Sequence, residues 1–347
     1  MATPALRGAD VDSPYGVTAF VPSPTRWDRM AGAGIGWARC DFSWRMVETA
    51  PDVFNWSTTD EEVAQANARG IRIYAGLGYT PAWASNGGRS QDPPRDPADW
   101  YDYVYRCVSR YKASVHHWEL WNEPNISGFW AGTRTQYINN ILKVASDAAH
   151  AADPDCMVLA PEISECCNSS DWLRDVLQQA GDKVDIIAVH RYGGGDIPSG
   201  RISGIDSQHS YIVSLGYGNK PFWITECGWE SDSAGMTEQK QADYLTQMLA
   251  GMTARSTWWH TFFWYQIWEG PTGRAGLLCQ DETPKPSWYA YRDYTAAHPA
   301  PQRVSVNLST ADIYDGITRV VVGDGDTVPA TQANRACRRN DNPAEDY

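Results

Sequence analysis

Two rhythms of apolar and polar positions alternate along this chain. Short runs rich in β-branched and aromatic residues, at Tyr15–Phe20, Gly36–Trp44, Ile71–Tyr79, Trp118–Trp121, Met157–Ile163, Val184–Tyr192, Pro221–Gly228 and Thr261–Trp268, have strand character. Between them lie stretches with helical spacing: Trp27–Ala33, Asp60–Arg69, Asp99–Tyr111, Thr135–Ala152, Asp171–Ala180, Ser207–Leu215, Thr237–Ala254, and a last one opened by Lys285-Pro286 and running to about His298. Gly70 stops the second of these as a C-cap residue. Eight strand-then-helix units without a large break predict an α/β chain folded as one closed (β/α)8 TIM barrel over 14–298, rather than a doubly wound sheet. Beyond Pro299 the pattern changes. Val304–Leu308 and Thr318–Val322 alternate like short strands around a turn-like Gly323–Asp326, and the rest has no periodicity. Residues 299–347 therefore read as a C-terminal extension, either the start of a β-rich accessory domain or a disordered tail.

Candidate chemistry sits at two strand ends. In HWELWNEPN (117–125) the fourth apolar run delivers Asn122 and Glu123 just before Pro124, which cannot continue a ladder. In PFWITECG (221–228) the seventh run presents Glu226 before Gly228. The carboxyl ends of parallel barrel strands are where catalytic side chains collect. Two carboxyl groups brought together there are what glycosidic bond cleavage requires, one as proton donor and one as nucleophile or base.

The paired motifs Trp121-Asn122-Glu123-Pro124 and Ile224-Thr225-Glu226-Cys227-Gly228-Trp229 resemble those on the fourth and seventh strands of clan A glycoside hydrolases. Within the clan the chain looks most like glycoside hydrolase family 39 and its relatives, with family 5 next. The resemblance covers roughly residues 14–298. It implies a retaining enzyme that cleaves O-glycosidic bonds of an oligo- or polysaccharide by double displacement, with Glu123 as acid/base, Glu226 as nucleophile and no metal or organic cofactor. By the same resemblance Arg39 holds the nucleophile ionised, Asn122 bonds the 2-hydroxyl of the reacting sugar, and Trp264 forms the floor of the subsite at the cleaved sugar. His190 and Tyr192, two apart in one strand, share a face; the resemblance makes that face the site, with one or the other bonding the nucleophile or a sugar hydroxyl. Trp83 and Trp130, on loops at the open end, are candidates for flanking sugar platforms. Core packing competes for His190 and for every one of these tryptophans. Glu48, Glu162 and Glu269 are further acids near strand ends, and Glu162 or Glu269 would replace the primary pair if it failed. A transglycosylase on the same scaffold, or a non-catalytic glycan-binding barrel, is the alternative reading.

Composition narrows the partner. A formal net charge of −13 argues against nucleic acid or an anionic membrane surface and is compatible with a neutral carbohydrate. No apolar run is long enough to span a bilayer. The 17 Trp and 18 Tyr suffice for a large core and an aromatic-lined cleft. His116 and His117 are adjacent on a strand and point oppositely, so they do not share a metal. The 8 cysteines lack CxxC spacing, which speaks against zinc. Cys40 and Cys227 fall in core strands, while Cys156, Cys166 and Cys167 flank one strand and its loop, where a bridge would form under oxidising conditions. The N-terminus has no basic start followed by an apolar stretch, so the expectation is a cytoplasmic protein or one whose leader has been removed. The cysteine content tips it towards the extracellular side. Oligomeric state is not legible.

Overall fold

The computed structural model describes residues 13–300 except 21, 194, 196, 234, 271 and 272, together with two short strands at 319–322 and 326–329. Ser13–Pro299 form one compact unit. Its strands are β1 (Tyr15–Thr18), β2 (Trp37–Ser43), β3 (Arg72–Gly78), β4 (His117–Leu120), β5 (Met157–Ile163), β6 (Ile186–His190), β7 (Phe222–Cys227) and β8 (Trp259–Trp264). They pair in parallel in chain order, and β8 closes on β1.

The intervening helices are α1 (Pro24–Gly32), α2 (Ser57–Ala68), α3 (Pro97–Tyr111), α4 (Lys143–Ala152), α5 (Ser169–Ala180), α6 (Pro198–Ser214), α7 (Glu238–Thr253) and α8 (Pro286–Ala297). Local chemistry sets their starts. Ser23, Asp96 and Thr237 accept backbone N–H bonds at the first turns of α1, α3 and α7, and Pro24, Pro97, Pro198 and Pro286 occupy first-turn positions where no N–H is required. Before α4 the chain passes through a capping-box turn at Arg134–Gln136 and a π-helical stretch at Tyr137–Leu142. Between β2 and α2 lie one helical turn, Trp44–Val47, and a small hairpin of Glu48–Ala50 with Val53–Phe54.

Several boundaries differ from expectation. Helix α6 starts at Pro198 rather than Ser207, because the low helix propensity of Gly200 and Gly204 hides its first turns. Strand β8 stops at Trp264 rather than Trp268. In the C-terminal extension, Arg319–Val322 and Asp326–Pro329 pair as an antiparallel hairpin. The expected strand Val304–Leu308 lies outside the described residues.

Period-two alternation sorts the barrel into two cores. Trp37, Tyr74, Leu159, Ile186, Ala188, Trp223 and Phe263 fill the interior. His117 joins them, stacked on Trp223 at 5.5 Å and edge-on to Trp37 at 4.7 Å. Gly16 faces the same space, where a Cβ would come within 2.6 Å of the Phe263 ring. The alternate residues, among them Phe42, Trp118, Leu120, Ile187, Ile224 and Trp264, bury themselves between strands and helices. The barrel is thus plugged with aromatic rings below and open only at the carboxyl ends of its strands. Among the described residues no helix is long and apolar enough to cross a membrane.

One buried group works against this core. Glu62, on α2, is 3% exposed, and neither of its carboxylate oxygens has a hydrogen-bond partner among the described residues. Burial, and then the charge of Asp41, push its pKa up to about 8. The folded protein therefore keeps this proton up to about pH 8, whereas the unfolded chain releases it near the ordinary glutamate value, so stability falls as pH rises through that window. Glu62→Gln, which cannot ionise, is expected to match the wild type near pH 4 and to exceed it by a few kcal/mol at pH 8. Urea unfolding at both pH values checks this, and a difference that does not grow with pH would contradict it.

Candidate active site

Strand-end irregularities aim the side chains of the site. On β7, Ile224 pairs with Val189 and Glu226 with His190, leaving Thr225 as an extra residue; on the other side Ile224 and Cys227 pair with Phe262 and Trp264. This bulge breaks the alternation and turns Glu226 towards the barrel axis. Strand β5 carries a second one, with Pro161 opposite Ala188, Ile163 opposite Val189, and Glu162 between them at φ 51°. Tyr79, Trp121 and Glu123 also hold positive φ, at 63°, 87° and 39°. Non-glycine residues enter this region at a cost and stay there only when their surroundings fix them. Here the backbone does so: Glu123 N–H donates to Glu162 O at 3.0 Å, and Ile126 N–H to Glu123 O at 2.9 Å.

Arg39 is 3% exposed and makes four hydrogen bonds to three side chains. Its Nε and Nη2 donate to the two oxygens of Glu119 at 2.6 and 2.7 Å, Nη2 also donates to Asn122 Oδ1 at 2.8 Å, and Nη1 donates to Glu226 Oε1. Such a fork of charge-assisted bonds fixes both partners in one plane. Tyr192 Oη donates to the other oxygen of Glu226 at 2.6 Å. Burial alone would raise the pKa of Glu226, but the charges of His190 and Arg39 and the hydrogen bonds from Tyr192 and Arg39 outweigh it and hold the group below the usual glutamate value.

Glu123 and Glu226 meet at His190. Its Nδ1 lies 3.0 Å from Glu123 Oε1 and 3.6 Å from Glu226 Oε2. Those two distances keep these two oxygens within about 6.6 Å of each other, a limit compatible with the ~5–5.5 Å between the carboxyl groups of retaining glycosidases. Both carboxylates line a cleft of about 300 Å³ together with Arg39, Asp41, Glu119, Asn122, Phe20, Tyr79, Phe129 and Tyr265. Four aromatic rings thus frame a floor of ionised and hydrogen-bonding groups. That is the lining expected of a site that takes a polar ring with apolar faces.

The expected site residues divide. Arg39, Asn122, Glu123, His190, Tyr192 and Glu226 converge in one network. Trp264 does not join it: β8 alternation turns it outward, fully buried, with its indole N–H on Ala275 O at 2.9 Å and its ring against Trp229. The next residue, Tyr265, faces the cleft instead. Trp130 is 2% exposed and packs on Trp121 and Tyr137, so it belongs to the core. Trp83 lines a separate cleft of about 260 Å³ with Glu48, Pro51, Asp52, Asp99, Asp102 and Arg106. Glu269 is locked in a buried pair with Lys285 at 2.5 Å.

Sequence reasoning missed Glu119, which period two places on the same face as His117; Phe20, Tyr79 and Tyr265, which lie just past strand ends; and Phe129, on the loop that follows β4. Cys40, Cys156 and Cys227 are buried, with Cys156 at the entry to β5. Cys166 and Cys167 lie exposed beyond the exit of β5 with their sulfurs 2.6 Å apart, so a full strand separates them from Cys156. Among the described residues no cluster of three or more His, Cys, Asp or Glu is arranged to hold a metal ion.

Residues 97–291, more than half of the chain, match the model of the glycosyl hydrolase catalytic core family. The chain belongs to this family. A β-xylosidase of Geobacillus stearothermophilus is 28% identical over 156 residues, 40% of this chain and 31% of that protein. A second β-xylosidase, from Caldicellulosiruptor saccharolyticus, is 28% identical over 141 residues, 35% of this chain and 28% of its own length. The chain thus spans about a third of the length of the curated relatives it matches. Among solved structures, a family 39 glycoside hydrolase from Bacteroides cellulosilyticus WH2 superposes with a TM-score of 0.70 at 21% identity, over 90% of this chain and 69% of that one. A monomeric β-xylosidase from Caulobacter crescentus CB15 gives 0.68 at 18% identity, over 93% and 73%. Both solved structures share the fold of this chain.

The Arg39 fork makes a stability prediction of its own. Glu119→Ala leaves a buried guanidinium without its two-pronged partner, a change that costs about 3–5 kcal/mol. Denaturant unfolding of the variant should show a loss of that size, and a loss below about 1 kcal/mol would mean that Glu226 and Asn122 suffice to hold Arg39.

Proposed function

We propose that this protein is a retaining glycoside hydrolase that cleaves β-xylosidic bonds, with Glu226 as nucleophile and Glu123 as acid/base. The observation that carries the reading is the environment of the two carboxylates. They face one cleft around one histidine, yet only Glu226 is gripped by an arginine and a tyrosine. An ionised, oriented carboxylate is what attack at the anomeric carbon requires, while the partner carboxyl remains to protonate the leaving oxygen.

In the first step Glu226 Oε bonds to the anomeric carbon as the glycosidic C–O bond breaks, and the Glu123 proton passes to the departing oxygen. Water then attacks the glycosyl-enzyme, giving up its proton to Glu123 and releasing Glu226. Asn122, held by Arg39 at the edge of the cleft, is placed to donate its amide N–H₂ to the hydroxyl beside the reacting carbon. The sugar assignment is supported by the two β-xylosidases among the curated relatives and by the modest volume of the cleft.

Aryl β-D-xylosides are the substrates to test first. Glu226→Ala should lose turnover by at least ~10⁴-fold, and added azide should restore cleavage of an activated aryl glycoside with inversion of the product. Near-normal turnover in that variant would remove Glu226 from the mechanism. Glu123→Ala should keep most of its glycosylation rate on 2,4-dinitrophenyl glycosides and lose it on poor leaving groups.

Arg39→Lys gives a test with a defined sign. The lysine cannot reproduce the fork, so the pKa of Glu226 rises towards the ordinary glutamate value and the acidic limb of kcat/KM moves to higher pH. An unmoved limb would show that Arg39 does not control the ionisation of Glu226.

A further inference from the structure

Glu162 is a third carboxylate in contact with the site and has no part in the scheme above. It is fully buried, and each of its oxygens is engaged: Oε1 accepts from Tyr74 Oη, and Oε2 accepts from Thr225 Oγ1 at 2.5 Å. Oε2 also lies 3.3 Å from His190 Nε2, an ion-pair contact less well aligned than a hydrogen bond. On its other side the same imidazole presents Nδ1 to Glu123 at 3.0 Å. The backbone forms a second link, because Glu162 O accepts the N–H of Glu123. Glu162 thus touches Glu123 twice, once through its own carbonyl and once through His190.

We propose that Glu162 is a positioning residue that keeps His190 doubly protonated, so that the imidazolium donates from Nδ1 and fixes the orientation of the Glu123 carboxyl during proton transfer. This rests on Glu123 being the acid/base. A neutral imidazole would present a bare nitrogen either to the Glu162 carboxylate or to Glu123 once it has given up its proton, whereas an imidazolium presents a proton to each. A buried cation needs compensating charge, and Glu162 supplies it from the barrel interior, away from solvent and substrate. Burial works against the charged form of His190, but the charge of Glu226, the hydrogen bond to Glu123 and the close contact with Glu162 outweigh it and raise the group to about 10.

The site geometry explains why this carboxylate reaches inward. Glu162 is the unpaired residue of the β5 bulge, and its positive φ turns both its side chain and its carbonyl towards the end of β4. An uninterrupted strand would keep strict alternation, and Pro161 and Ile163 flank it on the opposite phase. Tyr74 and Thr225 then hold the carboxylate from β3 and β7.

The test uses the whole protein with two aryl β-xylosides, one with a 2,4-dinitrophenol leaving group and one with a poor leaving group. Glu162→Gln keeps the volume and removes the charge. It is expected to lower kcat/KM at least tenfold more on the poor leaving group than on the activated one, with KM little changed. An equal loss on both substrates, or no loss, overturns the proposal. Glu123→Ala, run in parallel, separates the two readings: if it shows no leaving-group dependence, the acid/base assignment itself has failed. The second measurement does not depend on the variant folding. In ¹⁵N spectra of the wild type at pH 7, His190, assigned by its absence from His190→Asn, should show both ring nitrogens protonated. A single bare nitrogen on His190 would overturn the proposal.

Discussion

The guanidinium of Arg39 is the constraint around which the site is organised. It sits inside the barrel mouth on β2 and reaches β4 through Glu119 and Asn122 and β7 through Glu226. A buried cation is tolerable only when surrounding carboxylates neutralise it, and those carboxylates are tolerable only because of the cation. The fork therefore ties three strands to one charge balance. Gly76 belongs to the same arrangement, since a Cβ there would approach Glu119 Oε2 to 3.1 Å. His190 plays a parallel part on the other side of the cleft, between Glu123, Glu162 and Glu226. Each of the two outer carboxylates is thus served by a cation that a deeper carboxylate anchors: Glu119 under Arg39, and Glu162 under His190.

What was legible in the sequence follows from which forces are local. Alternating strands and amphipathic helices carry their own periodicity, so the order of the eight units and the ends of β4 and β7 could be read directly. His190 and Tyr192 were legible as sharing a face by period two, while it was resemblance that put that face, and Arg39, at the site. Period two also marks where the reading failed. Trp264 was assigned to the cleft on resemblance, yet the alternation of β8 sends it outward and leaves Tyr265 to face the site. Trp130 lies on a loop that folds back into the core.

The bulges at Thr225 and Glu162 were invisible for a different reason. A bulge is decided by pairing between strands far apart in the chain, and no local pattern announces it. Glu162 was noted as an acid near a strand end, but its place between Tyr74, Thr225 and His190 required all four strands to be assembled. Glu119 shows the milder form of the same problem. Its face could be inferred from its neighbours on β4, while its partner could not.

The anchoring of both cations from inside the barrel separates two properties of the molecule. The charges that set the electrostatics of the site rest on residues of the strands themselves, whereas the aromatic rim of the cleft, Phe20, Tyr79, Phe129 and Tyr265, lies on the connections beyond. Connections tolerate insertion and replacement far better than paired strands do. A lineage built on this scaffold can therefore exchange its rim segments wholesale, and with them the shape of the cleft mouth, without having to reinvent the electrostatics beneath. Diversification by loop grafting is open to it in a way that it would not be if the same charges were held by the loops.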